Sequence, residues 1–419
     1  MRNLLLVILI IGSTIRLHAQ TNCTDCEDLD FLYQAIKNTP SFKDQFKGAK
    51  KSNHQNTYDS LRLVFINSHL SKYESYTAMA KFITPVQDNH LGFWITPDSL
   101  LSYKTVSDSI ALKSFLKSES SRKFPSVSLN LDSLKSMMQK RSADDVEGIY
   151  NYGETLTAAL YRTPTAGELY GVILSSTLPN WQPGQIAFIL FEHQPFRYYA
   201  LEAVVYDKTF VLMRNERYVN QHLVKTMWTK QNSGPDFSNL PAQTPLFLFK
   251  NVSENTGYLR LGSFSANNSN MQAAKKFFLE LKDKLSQPSL ILDLRNNNGG
   301  ANKTSNPFLK ILKKYASSKK VYILINSRTI SNAEQFTLKL SKTKNTIILG
   351  ERSSGTIAYG SNYGKTLTLP SGRFRFYPTD MNFRKYLPYE DQGIEPQIKL
   401  EYNSDWISQT KTIIAKSTQ

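Results

Sequence analysis

Hydrophobic and polar positions follow three different rhythms along this chain, and each predicts a different kind of structure. Between residues 28 and 100 apolar positions recur every three or four residues. They are Leu29, Phe31, Leu32, Ala35 and Ile36, then Leu61, Leu63 and Val64 within 57–68, then Tyr76, Met79 and Phe82 within 72–82. That period predicts packed amphipathic helices, the last ended by Pro85. The following Val86-Gln87-Asp88-Asn89-His90-Leu91 turns sharply and leads into extended chain. Residues 101–146 are rich in Ser and Lys and read as a polar linker or insertion with one helix at 131–139. From Glu147 the rhythm shortens. Segments 155–161, 169–174, 185–191, 198–206 and 209–214 are β-branched or aromatic and are separated by turn sequences such as Trp181-Gln182-Pro183-Gly184. A small antiparallel β-barrel or sandwich over 147–231 is expected.

After a Gly-, Pro-, Ser- and Asn-rich linker at 232–250 the two rhythms alternate. Strands are expected at 257–261, 290–294, 321–325 and 346–349, and helices at 271–285, 305–315 and 332–340. Such alternation predicts an α/β core over 251–419, a mainly parallel sheet with covering helices. At 419 residues the chain is long enough for these several units, a helical unit at 20–100 among them. It shows no internal repeat.

The N-terminus changes the picture of where the chain works. Met1-Arg2-Asn3, an apolar run at 4–11 and Leu17-His18-Ala19 before Gln20 read as a signal peptide over 1–19. The apolar run is too short to span a bilayer comfortably, so an exported soluble protein, periplasmic or extracellular, is expected without stable membrane insertion. Cys23 and Cys26, the only cysteines, could pair in an oxidising compartment. The formal charge is +17, or +15 once Arg2 and Arg16 are subtracted. The basic residues are scattered among Asn and Ser without aromatic interleaving, which argues against nucleic-acid binding. No H-E-x-x-H, clustered His/Cys set or phosphate-cradling loop is present, so neither metal nor cofactor is implied.

Candidate chemistry gathers where the core strands end. Leu290–Arg295 runs into Asn296-Asn297-Asn298-Gly299-Gly300, and 321–326 runs into Ser327-Arg328-Thr329-Ile330-Ser331-Asn332-Ala333-Glu334. Ligands bind at the carboxyl ends of strands in open α/β sheets. Ser331, at a strand-to-helix turn, suits a nucleophile, because a helix N-terminus favours developing negative charge. The same S-x-x-E spacing also suits a capping box with no chemistry at all. Gly299 and Gly300 similarly suit either a βα turn or a backbone oxyanion cradle.

The order DLRNNNGG, TISNAEQF, GERSSGT resembles the S41 family of serine peptidases over roughly 257–400. The resemblance implies a ClpP/crotonase-like core, a peptide or protein substrate and Ser331 as nucleophile. It implies oxyanion donors at Gly299, Gly300 and Asn332, with Asn298 where the family usually has glycine. Processing proteases of the family carry a basic lysine where this chain has Thr356, with Lys365 nearby in sequence. The tricorn-like branch uses a histidine ahead of the core, and Asp88-Asn89-His90 resembles that segment. Tyr389-Glu390-Asp391-Gln392-Gly393-Ile394-Glu395-Pro396 resembles the segment carrying its carboxylate, which matches Glu390. The expectation is therefore peptide-bond cleavage through an acyl-enzyme, with Ser331 as nucleophile, His90 as base and Glu390 orienting the imidazole. The alternatives are a non-catalytic ligand- or lipid-binding protein on the same fold and an esterase-like hydrolase.

Overall fold

The computed structural model describes residues 23–417, so the segment read as a signal peptide lies outside the described residues. Helices Thr24–Asn38, Pro40–Gln45, Gly48–Asn67 and Lys72–Ile83 form the N-terminal unit. Cys23 and Cys26 are joined by a disulfide at the start of the first helix. The apolar stripes converge on a cluster of rings in which Tyr33, Phe42, Phe46 and Phe82 surround His54. His54 is buried and its Nε2 faces the Phe82 carbonyl at 3.3 Å, so it is a core residue. No described helix is long and apolar enough to cross a membrane.

The strand Gly92–Ile95 leaves the helical unit and pairs antiparallel with Phe374–Tyr377, near the other end of the chain. Between them, the segment read as a polar linker folds into three short helices, Ser109–Lys117, Glu119–Arg122 and Leu131–Met138. Only the last is visible in the sequence period. The β-rich region closes on itself as an eight-stranded antiparallel barrel. Its strands run from Gly148–Tyr152 through Phe210–Val219 in sequence order, and the short strands His222–Leu223 and Thr229–Lys230 complete the ring. Alternate residues point inward, and Tyr150, Phe188, Tyr198 and Trp228 fill the interior. Closure removes the exposed edges that an open sheet of this size would leave.

The third layer is a six-stranded sheet ordered Phe247–Ser253, Thr256–Leu261, Ser289–Asp293, Lys320–Ile325, Thr346–Gly350, Ile398–Lys399. The first pair is antiparallel and each later pair is parallel. Phe247–Ser253 begins inside the segment that composition marks as linker. Leu290, Leu292, Val321, Ile323 and Ile325 face helices Asn268–Leu281, Asn302–Ala316 and Asn332–Leu340. Ile291, Tyr322, Leu324 and Leu349 pack on the other side against Trp406 and Ile414 of the final helix. Both faces are covered, which is why these strands read as continuous apolar runs.

Candidate active site

The two glycine- and serine-bearing turns predicted at the sheet edge are locked to each other. The Asn326 side chain accepts the Asn296 N–H at 2.9 Å, and the Thr329 hydroxyl donates to the Leu294 carbonyl at 3.0 Å. The Ile330 N–H reaches the Asn297 carbonyl at 2.9 Å. Held this way, Ser331 adopts φ 58° and ψ −118° immediately before the helix Asn332–Leu340. Few non-glycine residues occupy that region; the arrangement costs about 1–3 kcal/mol and persists because its surroundings enforce it. Gly299 is required beside it: a Cβ there would stand 2.6 Å from the Ile330 carbonyl oxygen and 2.8 Å from the Asn332 nitrogen.

The S-x-x-E spacing forms the glutamate half of a capping box, with the Glu334 carboxylate accepting the Ser331 N–H at 2.9 Å. The Ser331 Oγ meanwhile lies 3.3 Å from His90 Nε2, across 241 residues of sequence. Fully buried Glu334 also accepts from the Ser353 hydroxyl at 2.6 Å, the Gly355 N–H at 2.7 Å and the Thr356 N–H at 3.1 Å. Burial pushes its pKa up against these donors. Glu334 therefore ties the serine turn to the loop 353–356.

His90 sits in the turn after the helical unit, and buried Asp88 accepts its backbone N–H at 3.1 Å. Asp88 is itself fixed by the Thr379 hydroxyl at 2.6 Å. Burial lowers the His90 pKa; the Asp88 carboxylate opposes this and the Lys225 ammonium adds to it. The ring is thus biased toward the neutral form that can accept a proton. His90 Nδ1 is buried without a hydrogen-bond partner among the described residues.

That observation corrects the expected role of Glu390. Its carboxylate does not take the imidazole N–H, because three backbone donors occupy it: Asn89 N–H at 2.8 Å, Ile357 N–H at 2.8 Å and Ala358 N–H at 2.7 Å. Glu390 holds the His90 turn through the peptide next to it rather than through the ring. Burial, and then the nearby Asp88 charge, push its pKa up to about 8. The neighbouring Asp391 accepts the Asn89 amide at 2.8 Å.

The oxyanion assignment also changes in part. The Gly299 N–H is committed to the Asn297 side chain at 2.8 Å. Gly300 and Asn332 are the two backbone N–H groups of the expected set left for a ligand; Asn332, at the first helical position, has no intrahelical acceptor. With Ser331 and His90 they border a cleft of about 450 Å³, completed by uncharged residues that include Gln335, Tyr359, Met381 and Phe383. Lys365 is exposed and does not border it. No cluster of metal-ligating residues occurs among the described residues.

The barrel contributes residues that no motif announces. Strand Phe210–Val219 carries a bulge where pairing shifts between Tyr198 and Ala200, and Asn215 there has φ 54°. The bulge redirects the side chains. Arg214 donates to the Thr84 carbonyl at 3.1 Å and to the Val86 carbonyl, just ahead of Asp88. Asn215 donates to the Ser354 carbonyl at 2.9 Å and the Asp391 carbonyl at 3.0 Å, and Arg217 to the Ser353 carbonyl at 3.1 Å. Lys225 donates to the Ser354 hydroxyl at 2.7 Å, which in turn meets Thr356 Oγ1 at 2.9 Å. The available signal was the run Arg214-Asn215-Glu216-Arg217, four polar residues interrupting a strand and all buried.

The family model of peptidase family S41 matches residues 255–313 and 301–400, which carry the serine turn, the glycine turn, the Thr356 loop and Glu390. Over that stretch the chain is similar to peptidase family S41. Comparison with curated proteins finds no matching relative. Among solved structures, the chain is similar to mature CPAF complexed with lactacystin, at 12% identity over 94% of this chain and 98% of that one, TM-score 0.42. It is also similar to the photosystem II D1 C-terminal processing protease, at 15% identity over 90% and 93%, TM-score 0.34. The tricorn protease aligns at 12% identity over 94% of this chain and 37% of its own, TM-score 0.41.

Proposed function

We propose that this chain is a serine peptidase of S41 type that is exported and hydrolyses peptide bonds through an acyl-enzyme on Ser331, with His90 as general base. The observation that carries the reading is the 3.3 Å approach of His90 Nε2 to Ser331 Oγ by two segments 241 residues apart. As Ser331 Oγ bonds to the scissile carbonyl carbon, its proton passes to His90 Nε2. The N–H groups of Gly300 and Asn332 receive the carbonyl oxygen as it becomes negative. The C–N bond then breaks, and the imidazolium returns its proton to the leaving amine. Water repeats the sequence on the acyl-enzyme, with His90 again taking a proton, and releases the acid and free Ser331.

Glu390 serves here as a positioning residue for the His90 turn, and the Asp88 charge favours the imidazolium formed during attack. Thr356 cannot act as a base near neutral pH, which favours the histidine branch over the lysine one. The Cys23–Cys26 disulfide supports an oxidising compartment.

A fluorophosphonate should form one covalent adduct, located at Ser331 by peptide mass spectrometry. Labelling should disappear in Ser331→Ala and fall sharply in His90→Ala. An adduct elsewhere, or none, rules the reading out. Recovery of the cellular protein with its N-terminus still at Met1 would rule out export by a cleaved signal peptide.

A further inference from the structure

Away from Ser331, a cleft of about 520 Å³ opens between the barrel and the core. Arg197 and Arg217 occupy directly opposed positions on adjacent antiparallel barrel strands, and both border this cleft. Like charges facing each other across a strand pair destabilise it. Arg352 and Lys399 of the core line it as well.

Two acids, Glu351 and Glu395, also line the cleft, but neither pairs with the two barrel arginines. Glu395 pairs with Arg352 at 2.6 Å and Lys399 at 3.1 Å. Glu351 accepts the Ser327 N–H at 2.8 Å and the Tyr402 hydroxyl at 2.9 Å. Among the described residues neither Arg197 nor Arg217 has a carboxylate within 4.0 Å. Arg217 is 5% exposed, and its Nε is buried without a hydrogen-bond partner. Burying an unpaired cation is expensive, and such groups are normally paired.

We propose that this cleft binds a small oxyanion, of carboxylate or phosphate type, between Arg197 and Arg217. Two guanidinium groups facing one cavity match the flat, two-oxygen edge of such a ligand. Burial pushes the pKa of both arginines down; Arg217 and Arg352 add to this at Arg197, where Asp391 and Glu395 oppose it, and Glu351 opposes it at Arg217. An anion would relieve both effects. The same side chains hold the active-site loops: Arg197 Nη1 donates to the Asp391 carbonyl at 2.8 Å and Arg217 Nη2 to the Ser353 carbonyl at 3.1 Å. Occupancy would therefore stiffen loops 353–356 and 389–393.

Titration calorimetry of the full chain with inorganic phosphate, and separately with succinate, at constant ionic strength set by chloride, tests this without any need for catalysis. Saturable binding of at least one probe is expected, weakened about tenfold or more in Arg197→Gln. Which probe binds distinguishes a phosphate site from a carboxylate site. Hydrogen exchange in 353–356 and 389–393 should slow when that probe is present in the unmutated chain, which keeps the test independent of any folding defect in a variant. Absence of saturable binding of both probes, or equal binding by Arg197→Gln, overturns the site. Binding that leaves exchange in both loops unchanged overturns its placement between the two arginines.

Discussion

The turn that carries Ser331 and the turn that carries His90 meet at one point but are built by opposite means. Around Ser331 the partners are near in sequence: Glu334 three residues on, and Asn297 and Leu294 one strand away. Around His90 they are remote. Glu390 is 301 residues from Asn89, Thr379 is 291 from Asp88, and Arg214 is 128 from Val86. Ser331, on a strand-turn-helix, is placed by its own unit. His90 is placed by the docking of three units, so its geometry should be the more fragile of the two.

The largest expected effect tests the locally built half. Ser331→Ala should lower kcat by at least about a thousandfold. Its stability should change by no more than about 1 kcal/mol, because alanine meets the same backbone strain and the Glu334 contact is to the main chain. Urea unfolding beside peptidase assay checks both. His90→Ala should bring a comparable loss of kcat, whereas Lys365→Ala should leave turnover near the unmutated level. The reverse pair of results would give the base to lysine and end the comparison.

Arg214→Met probes the long-range half alone. It strips the buried carbonyls at Thr84 and Val86 of their donor, with a cost of about 1–3 kcal/mol. Displacement of the His90 turn should also reduce kcat about tenfold or more. A variant that is destabilised but fully active would show that the barrel braces the fold without placing the base.

Glu390→Gln should have a smaller and pH-dependent effect. A glutamine amide must turn an N–H toward one of the backbone donors, so the variant should be less stable by about 1–3 kcal/mol at pH 5. Burial raises the Glu390 pKa in the folded state to about 8, above the unfolded carboxyl value. The stability contributed by its protonated form is therefore complete below the unfolded value and is lost as pH rises through about 8. The gap between variant and parent should shrink between pH 5 and pH 9, as read from urea midpoints. Asp391→Asn, which keeps an acceptor for Asn89 and tolerates φ 62°, should change little.

The smallest effect is a displacement of the pH profile. Burial lowers the His90 pKa, so kcat/KM should rise with pH through a midpoint below about 6.5. A midpoint above that value would mean that Asp88 outweighs burial at the ring.

Legibility in the sequence tracks the same division. The strand and helix periods, the glycine turn and the Ser331 turn could be read directly, since each depends on neighbours within a few residues. His90 was found only through the resemblance of Asp88-Asn89-His90 to a family segment. Glu390 was picked out the same way, but with the wrong contact, since nothing in Glu390-Asp391-Gln392-Gly393 indicates that backbone donors at 357–358 will occupy the carboxylate. Gly299 was grouped with Gly300 as an oxyanion donor; the Asn297 side chain, two residues away, had the prior claim on its N–H.

What the sequence determined by itself is therefore the alternation of strands and helices in the core and the serine turn between strand and helix, because periodicity, glycine placement and capping are short-range constraints. What only the tertiary structure decided is which cation, carboxylate and carbonyl meet. The bulge at Asn215 turns Arg214 onto the 84–86 segment and Asn215 and Arg217 onto the 353–354 loop, and barrel closure fixes where they point. A hydrogen bond fails over a fraction of an ångström, whereas sequence separation says nothing of distances that small.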